Sequence, residues 1–283
     1  PWFWVVGTSW ISHDRHVDMP FGAFDHFYPT STVNGTALRE IRSISRALFG
    51  EITVPVAERL ELTTGLRYTR DSKTYDASWM AAPGNPNPIR YAEDSDALRD
   101  SFVTGRLAAN WAATRETNLY AVAARGYKSG GYNDSGSNIT MGLADAPYAA
   151  ARVNSLEVGF KQASSDGRRG LNGAVFHARS KGDHLLQFDT VTFAMKAENL
   201  DTRSRGLELG GFWKPGAGLT LRGGLAYVDA RITGVPATST SGAAVGNRVP
   251  DSPRWSANLG LEHQTPIGSF LGWSKPTLST QLS

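Results

Sequence analysis

The chain is predicted to be all-β, an antiparallel up-and-down meander of roughly eleven strands that forms part of a transmembrane barrel. Three observations carry this. Apolar and polar residues alternate with a period of two in run after run. The connections between runs alternate between short turns and long polar segments, as they do when every long loop leaves one side of a sheet. Thirty glycines, eight tryptophans and nine tyrosines suit many turns and aromatic girdles at two membrane interfaces.

Composition excludes several function classes. Twenty-nine basic residues stand against 26 acidic ones, a net charge of +3, and the basic residues are scattered rather than gathered on one stripe, so no nucleic-acid partner is expected. No run approaches the roughly 18 apolar residues of a spanning helix, which leaves open a barrel whose strands are only half apolar. Cysteine is absent, which removes disulfides, thiol nucleophiles and thiolate metal sites. The sequence starts inside one strand-like run and stops in another, so residues 1–283 are expected to be part of a barrel domain, truncated at both ends.

Trp2–Ile11 (WFWVVGTSWI) is the first strand, rich in β-branched and aromatic residues. A long polar segment, Ser12–Ser43, reads as a loop. His13 and His16 within it could offer two imidazoles to a metal, but no carboxylate or thiolate set surrounds them, and no metal site or cofactor is assigned. Ile44–Pro55 and Arg59–Asp71 form a hairpin. In the second of these, Leu60, Leu62, Thr64, Leu66 and Tyr68 share one face, and Glu61, Thr63, Gly65, Arg67 and Thr69 share the other. Ser72–Asp100, with its Pro83–Pro88 run, reads as a loop because proline cannot sit in a central strand.

Ser101–Trp111 sets Val103, Leu107, Ala109 and Trp111 against Arg106, and a short turn leads to the strand over Asn118–Tyr127. There Tyr120, Val122 and Ala124 are expected to face lipid and Arg125 the lumen. Gly130 and Gly131 open a loop to about Ala151. Arg152–Gln162 alternates Leu156, Val158 and Phe160 with Glu157 and Lys161, and Asp166-Gly167 marks a tight turn. The faces of Gly170–Ser180 are not legible. Lys181–Thr202 reads as a loop with possible strand extensions. Arg203–Trp213, Leu219–Arg231, Pro253–Thr265 and Pro276–Ser283 complete the series, with Glu208 and Arg222 opposite the leucines of their strands.

The apolar face of such a sheet points to lipid and the charged face to a hydrated lumen. Glu61, Arg67, Arg106, Arg125, Glu157, Lys161, Glu208 and Arg222 are therefore the expected lumen-facing residues.

The run Asn118–Asn133 (NLYAVAARGYKSGGYN) resembles the strand-to-loop motif of TonB-dependent outer-membrane receptors, as do Glu58–Arg70, Trp4–Gly7, and Asn199 followed by Arg205–Glu208. The resemblance runs over essentially the whole chain, and the Tyr-Lys-Ser-Gly-Gly-Tyr-Asn piece carries most of its specificity. It implies a roughly 22-stranded transmembrane barrel with a globular plug, in the outer membrane of a Gram-negative bacterium, bounded by lipid and lipopolysaccharide. A partner complex, TonB, drives the family through the plug region, which this sequence lacks. An eleven-strand piece would carry two open edges and is not expected to function alone.

The resemblance implies active uptake of a scarce small-molecule ligand, most often a ferric siderophore, with no covalent chemistry and no catalytic residue. Trp79, Arg90, Tyr91, Tyr132 and Asn133 are the loop residues whose aromatic, basic or amide groups suit an anionic, aromatic chelate. Lys128 and Arg125, near the rim, suit lipopolysaccharide phosphate or wall carboxylates. A passive porin would share the barrel. A small barrel hydrolase could draw on His177, His184 and His263, but no Gly-x-Ser-x-Gly or His-Glu-x-x-His motif supports it.

Overall fold

The structure is a computed structural model that describes residues 2–20, 34–134, 139, 142, 144–145, 147–189, 194–216, 218–239, 242–266 and 277–282. The strands are β1 (Phe3–Pro20), β2 (Gly35–Ala57), β3 (Leu60–Ala81), β4 (Tyr91–Ala112), β5 (Thr117–Lys128), β6 (Gly131–Tyr132), β7 (Pro147–Tyr148), β8 (Ala151–Ala163), β9 (Arg169–Asp189), β10 (Ala194–Gly216), β11 (Leu219–Gly234), β12 (Trp255–Pro266) and β13 (Thr277–Leu282). Eleven of them form one antiparallel sheet in chain order, with β1 and β13 at its edges, and β6 pairs with β7 in a separate two-stranded sheet.

The strands are longer than hydropathy suggests. β2 and β10 have 23 residues each, about 75 Å of extended chain at roughly 3.3 Å per residue, against a hydrocarbon core of about 30 Å. Three expected loops are therefore corrected in part. β1 continues through His13 and His16 to Pro20, and β2 begins at Gly35. β3 continues to Ala81 and β4 begins at Tyr91, so only residues 82–90 connect them. β9 and β10 cover most of 181–202. The physical reason is that a strand continuing beyond the apolar band has a polar outer side. It needs ladder partners but no apolar alternation, so its sequence reads as a loop. The rest of the expected loop at 12–43, residues 21–33, lies outside the described residues.

Register fixes the faces, because residues directly opposite in an antiparallel pair share a face. Leu66 pairs with Gly105, Tyr68 with Val103 and Leu62 with Ala109, so the apolar sides of β3 and β4 form one surface. It continues through Leu156 and Val158 of β8 and Leu209 of β10 to Leu259 of β12. These side chains are solvent-exposed, Leu66 at 65% and Leu259 at 75%. A continuous exposed apolar band of this size marks a surface built for lipid. The short turns sit at its lower end. Gly167, at the β8–β9 turn, takes a φ of 64°, and the Asp166 carboxylate accepts from the Arg168 amide at 3.0 Å, the Asx geometry of such turns.

β5 corrects the expectation for Arg125. Gly105 pairs with Arg125, Leu107 with Ala123 and Trp111 with Leu119, so Arg125 joins the outer, apolar face. Tyr120, Val122 and Ala124 point inward. Tyr120 confirms the register by donating to Glu157 at 2.8 Å. Both faces of Leu119–Ala124 are apolar, so composition leaves the phase of the strand undetermined and only pairing sets it. For β9, unreadable from sequence, the outer residues are Leu171, Gly173, Val175, His177 and Arg179.

Candidate functional site

Level with the apolar band, the inner face carries most of the charges. Arg106 donates to Glu51 through Nε at 2.8 Å and Nη2 at 2.7 Å, a bidentate pair across β4, β3 and β2. Arg67 donates to Thr69 at 3.0 Å and Ser9 at 2.8 Å and lies 5.5 Å from the centre of the Phe49 ring. Glu157 and Lys161 meet at Tyr120, whose ring centre is 5.7 Å from Lys161 Nζ. Arg222 reaches Glu262 at 4.0 Å and stands over Phe212. Glu61 and Glu208 share this face through their ladder partners Asn110 and Ala226. Seven of the eight residues expected to face the lumen thus lie on the inner side, and Arg125 does not.

Above this wall the segment between β5 and β8 turns inward, and its described residues pack on the wall itself. Tyr132 stacks on Tyr75 with ring centres 4.5 Å apart and an 18° interplanar angle. Together with Ala37, Ala77, Trp79, Ala81 and Ile139 they form a buried apolar cluster. Beside it the fully buried Arg39 and Asp145 meet at 2.7 Å, and the Tyr75 hydroxyl donates to that carboxylate and accepts from Arg39 Nε at 3.2 Å. The Asp145 amide donates to Asp94 at 3.0 Å. Burial, and then the neighbouring Asp96 and Asp94 carboxylates, push the Tyr132 hydroxyl up to about 12.

The same segment is tied to both halves of the sheet. Arg15 of β1 pairs with Asp134 at 2.5 Å, and Lys73 of β3 donates to the Gly130 carbonyl. On the far side the Asn133 side chain donates to the Ala197 carbonyl at 3.1 Å and accepts from its amide at 2.7 Å. Asn199 accepts from the Ala149 amide at 2.8 Å and donates to its carbonyl at 2.8 Å. The contacts of its described residues reach from β1 to β10 and tie them to the inner face, as a strap.

The five loop candidates are not brought together. Trp79 lies on β3 rather than in a loop and is fully buried, and Tyr132 and Asn133 are buried among the anchors of the strap. Arg90 donates to the carbonyls of Asn85 and Ala82 and shapes the β3–β4 connection. Tyr91 pairs with Met80 on the outer face and donates to Glu93. Lys128 pairs with Asp183 at 2.5 Å, a wall carboxylate. His184 bonds the Ala149 carbonyl at 2.7 Å, and His177 faces outward. Arg39, Tyr75 and Asp145 carry no motif, because a buried ion pair is created only when chain positions 106 residues apart meet.

The family model described as "TonB dependent receptor-like, beta-barrel" matches residues 1–281. The chain belongs to the TonB-dependent receptor β-barrel family. Similar chains include the metal-pseudopaline receptor CntO of Pseudomonas aeruginosa strain PAO1, 25% identical over 206 residues, covering 73% of this chain and 26% of that protein. The ferric yersiniabactin uptake receptor FyuA of Yersinia pestis superposes with a TM-score of 0.66 at 21% identity, covering 82% of this chain and 33% of that one. The siderophore receptor PiuA of Acinetobacter baumannii gives 0.56 at 18% identity, covering 80% and 32%. The chain spans about a quarter of the curated relative and about a third of these receptor structures. The all-β meander is thus the fold of this receptor family.

Proposed function

We propose that this chain is wall and strap of an outer-membrane receptor that takes up a metal chelate, most often a ferric siderophore, into a Gram-negative bacterium. The observation that supports this best is the strap. A polar inner wall alone would suit an open channel, whereas described residues anchored from β1 to β10 would hold a segment in the way of free passage. Similar proteins are described as receptors for metal-pseudopaline and for ferric yersiniabactin, which favours a metal-bearing small molecule as the cargo. The energy would come from the TonB complex acting through a plug outside this sequence. Lipid and lipopolysaccharide would cover the apolar band.

In this reading Trp79, Tyr132 and Asn133 serve the ligand by holding the strap. Arg90 and Tyr91, on the β3–β4 hairpin, are placed to meet a ligand only at the outer mouth. The test is uptake of a radiolabelled ferric chelate by cells that express the whole receptor, against cells that lack it. Uptake that stops when a protonophore collapses the proton gradient is expected. Uptake that continues unchanged without the gradient would overturn active transport and favour a passive channel.

A further inference from the structure

We propose that the upper edge of β4, Tyr91–Ser101, is a docking strand for a basic, extended peptide segment, a reading that rests on this end of the wall facing outward from the outer membrane. β4 pairs with β3 from Tyr91 to Trp111 but with β5 only from Gly105 to Ala112. Above Gly105, β5 runs on against β8 to Lys128. The chain then turns inward as the strap, where β6 pairs with β7 alone. Tyr127 stacks on Phe102 with ring centres 3.9 Å apart and covers the foot of the gap. Beyond it no described strand pairs with the β5 side of Tyr91–Ser101. The Ala97 amide, near the middle of this stretch, donates instead to the side chain of its own neighbour Asp96, at 2.7 Å. Both β3 and β5 belong to this chain, so this edge is distinct from those of β1 and β13.

An unpaired edge of about 35 Å offers a row of N–H and C=O groups to another chain, and its side chains select which chain. Along it Glu93, Asp94, Asp96 and Asp100 outnumber Arg99. Asp94, Asp96 and Asp100 share the inner face with their ladder partners Ala77, Tyr75 and Asp71, while Glu93 points outward opposite Ser78, so an added strand meets carboxylates on both of its sides. Asp71, directly opposite Asp100, is itself buried, with Oδ1 lacking a partner. Lys73, the base beside this pair, donates to the Gly130 carbonyl of the strap. Among the described residues neither Asp96 nor Asp100 forms an ion pair. A second copy of the same edge would set carboxylate against carboxylate, which destabilises a strand pair. A strand with lysine or arginine at every second position sets opposite charges there instead. Backbone pairing supplies the affinity, and the carboxylates supply the preference for a basic sequence.

The test uses the whole receptor in nanodiscs and a fluorescent peptide of alternating lysine and valine, with binding read by anisotropy. Binding is expected, together with slowed amide exchange along Tyr91–Ser101. A peptide of alternating glutamate and valine should not bind, and nor should the lysine peptide N-methylated at every second amide. Ala97→Pro removes an N–H that lies on the open side of the strand, where proline is tolerated, and should abolish binding while the β3–β4 ladder stays protected from exchange. Asp96→Asn with Asp100→Asn should weaken binding roughly tenfold, the loss of two exposed ion pairs. Equal binding of the N-methylated or the glutamate peptide, or undiminished binding to the Ala97→Pro receptor, would overturn the site. Binding to nanodiscs that is absent on intact cells would overturn the outward orientation on which the site rests. Chelate uptake is read separately, so failure of the transport reading leaves these outcomes unchanged.

Discussion

Arg39 of β2 and Asp145 of the strap, 106 residues apart, meet at 2.7 Å with both side chains fully buried. Removing one charge of a buried pair leaves the other uncompensated, at a cost of about 3–5 kcal/mol. Asp145→Asn is therefore expected to release the strap while the eleven-stranded sheet persists. Amide hydrogen exchange checks this. Residues around Gly131–Tyr132 and Pro147–Tyr148 should exchange faster while β3 and β4 stay protected. Unchanged protection of the strap would count against the pair as its anchor.

The Tyr75–Tyr132 stack makes a separate prediction. Tyr132→Ala removes a buried ring and should weaken docking by about 3 kcal/mol, whereas Tyr132→Phe keeps the stack and should cost far less. The rate of cleavage within residues 129–150 by proteinase K, whose broad specificity does not depend on Tyr132, reads the difference. Equal rates in the two variants would show that the ring contributes nothing.

Because the chain has no cysteine, single cysteines report the faces of β5 directly. Val122→Cys should react with a water-soluble maleimide through the hydrated interior, and Ala123→Cys should react only with a membrane-soluble one. The reverse pattern would restore the opposite phase for Arg125 and Tyr120 and refute the β4–β5 register.

Leu225 and Ala226 are neighbours on opposite faces, paired with outward Leu209 and inward Glu208. Leu225→Arg places a cation in hydrocarbon and should destabilise folding into bilayers by about 2–4 kcal/mol. Ala226→Arg places one beside Glu208 and should change stability by less than about 1 kcal/mol. Urea titration of folding into vesicles measures both, and similar costs would contradict the assignment of a lipid side.

The membrane-height part of the fold was legible because lipid imposes a simple rule on it. Leu60–Tyr68 on β3 and Trp255–Leu261 on β12 alternate since every second residue must be apolar. The upper halves of β1–β4 were not legible. Arg39, Tyr75 and Trp79 sit in strands whose outer side is water, where no rule of composition separates ladder from loop. Trp79 and Tyr132 had the chemistry of ligand contacts, but their chemistry is used in packing the strap.

By itself the sequence determined an antiparallel meander of about eleven strands, the apolar face of most of them, and the receptor family, because a sheet with one apolar side writes a period of two into the chain. Only the tertiary structure decided the phase of β5, which turns Arg125 outward, and the strap held by Arg39, Tyr75 and Asp145. Each depends on which residues of distant strands lie opposite one another. That pairing is a property of the register, and an isolated strand with two apolar faces carries no mark of it.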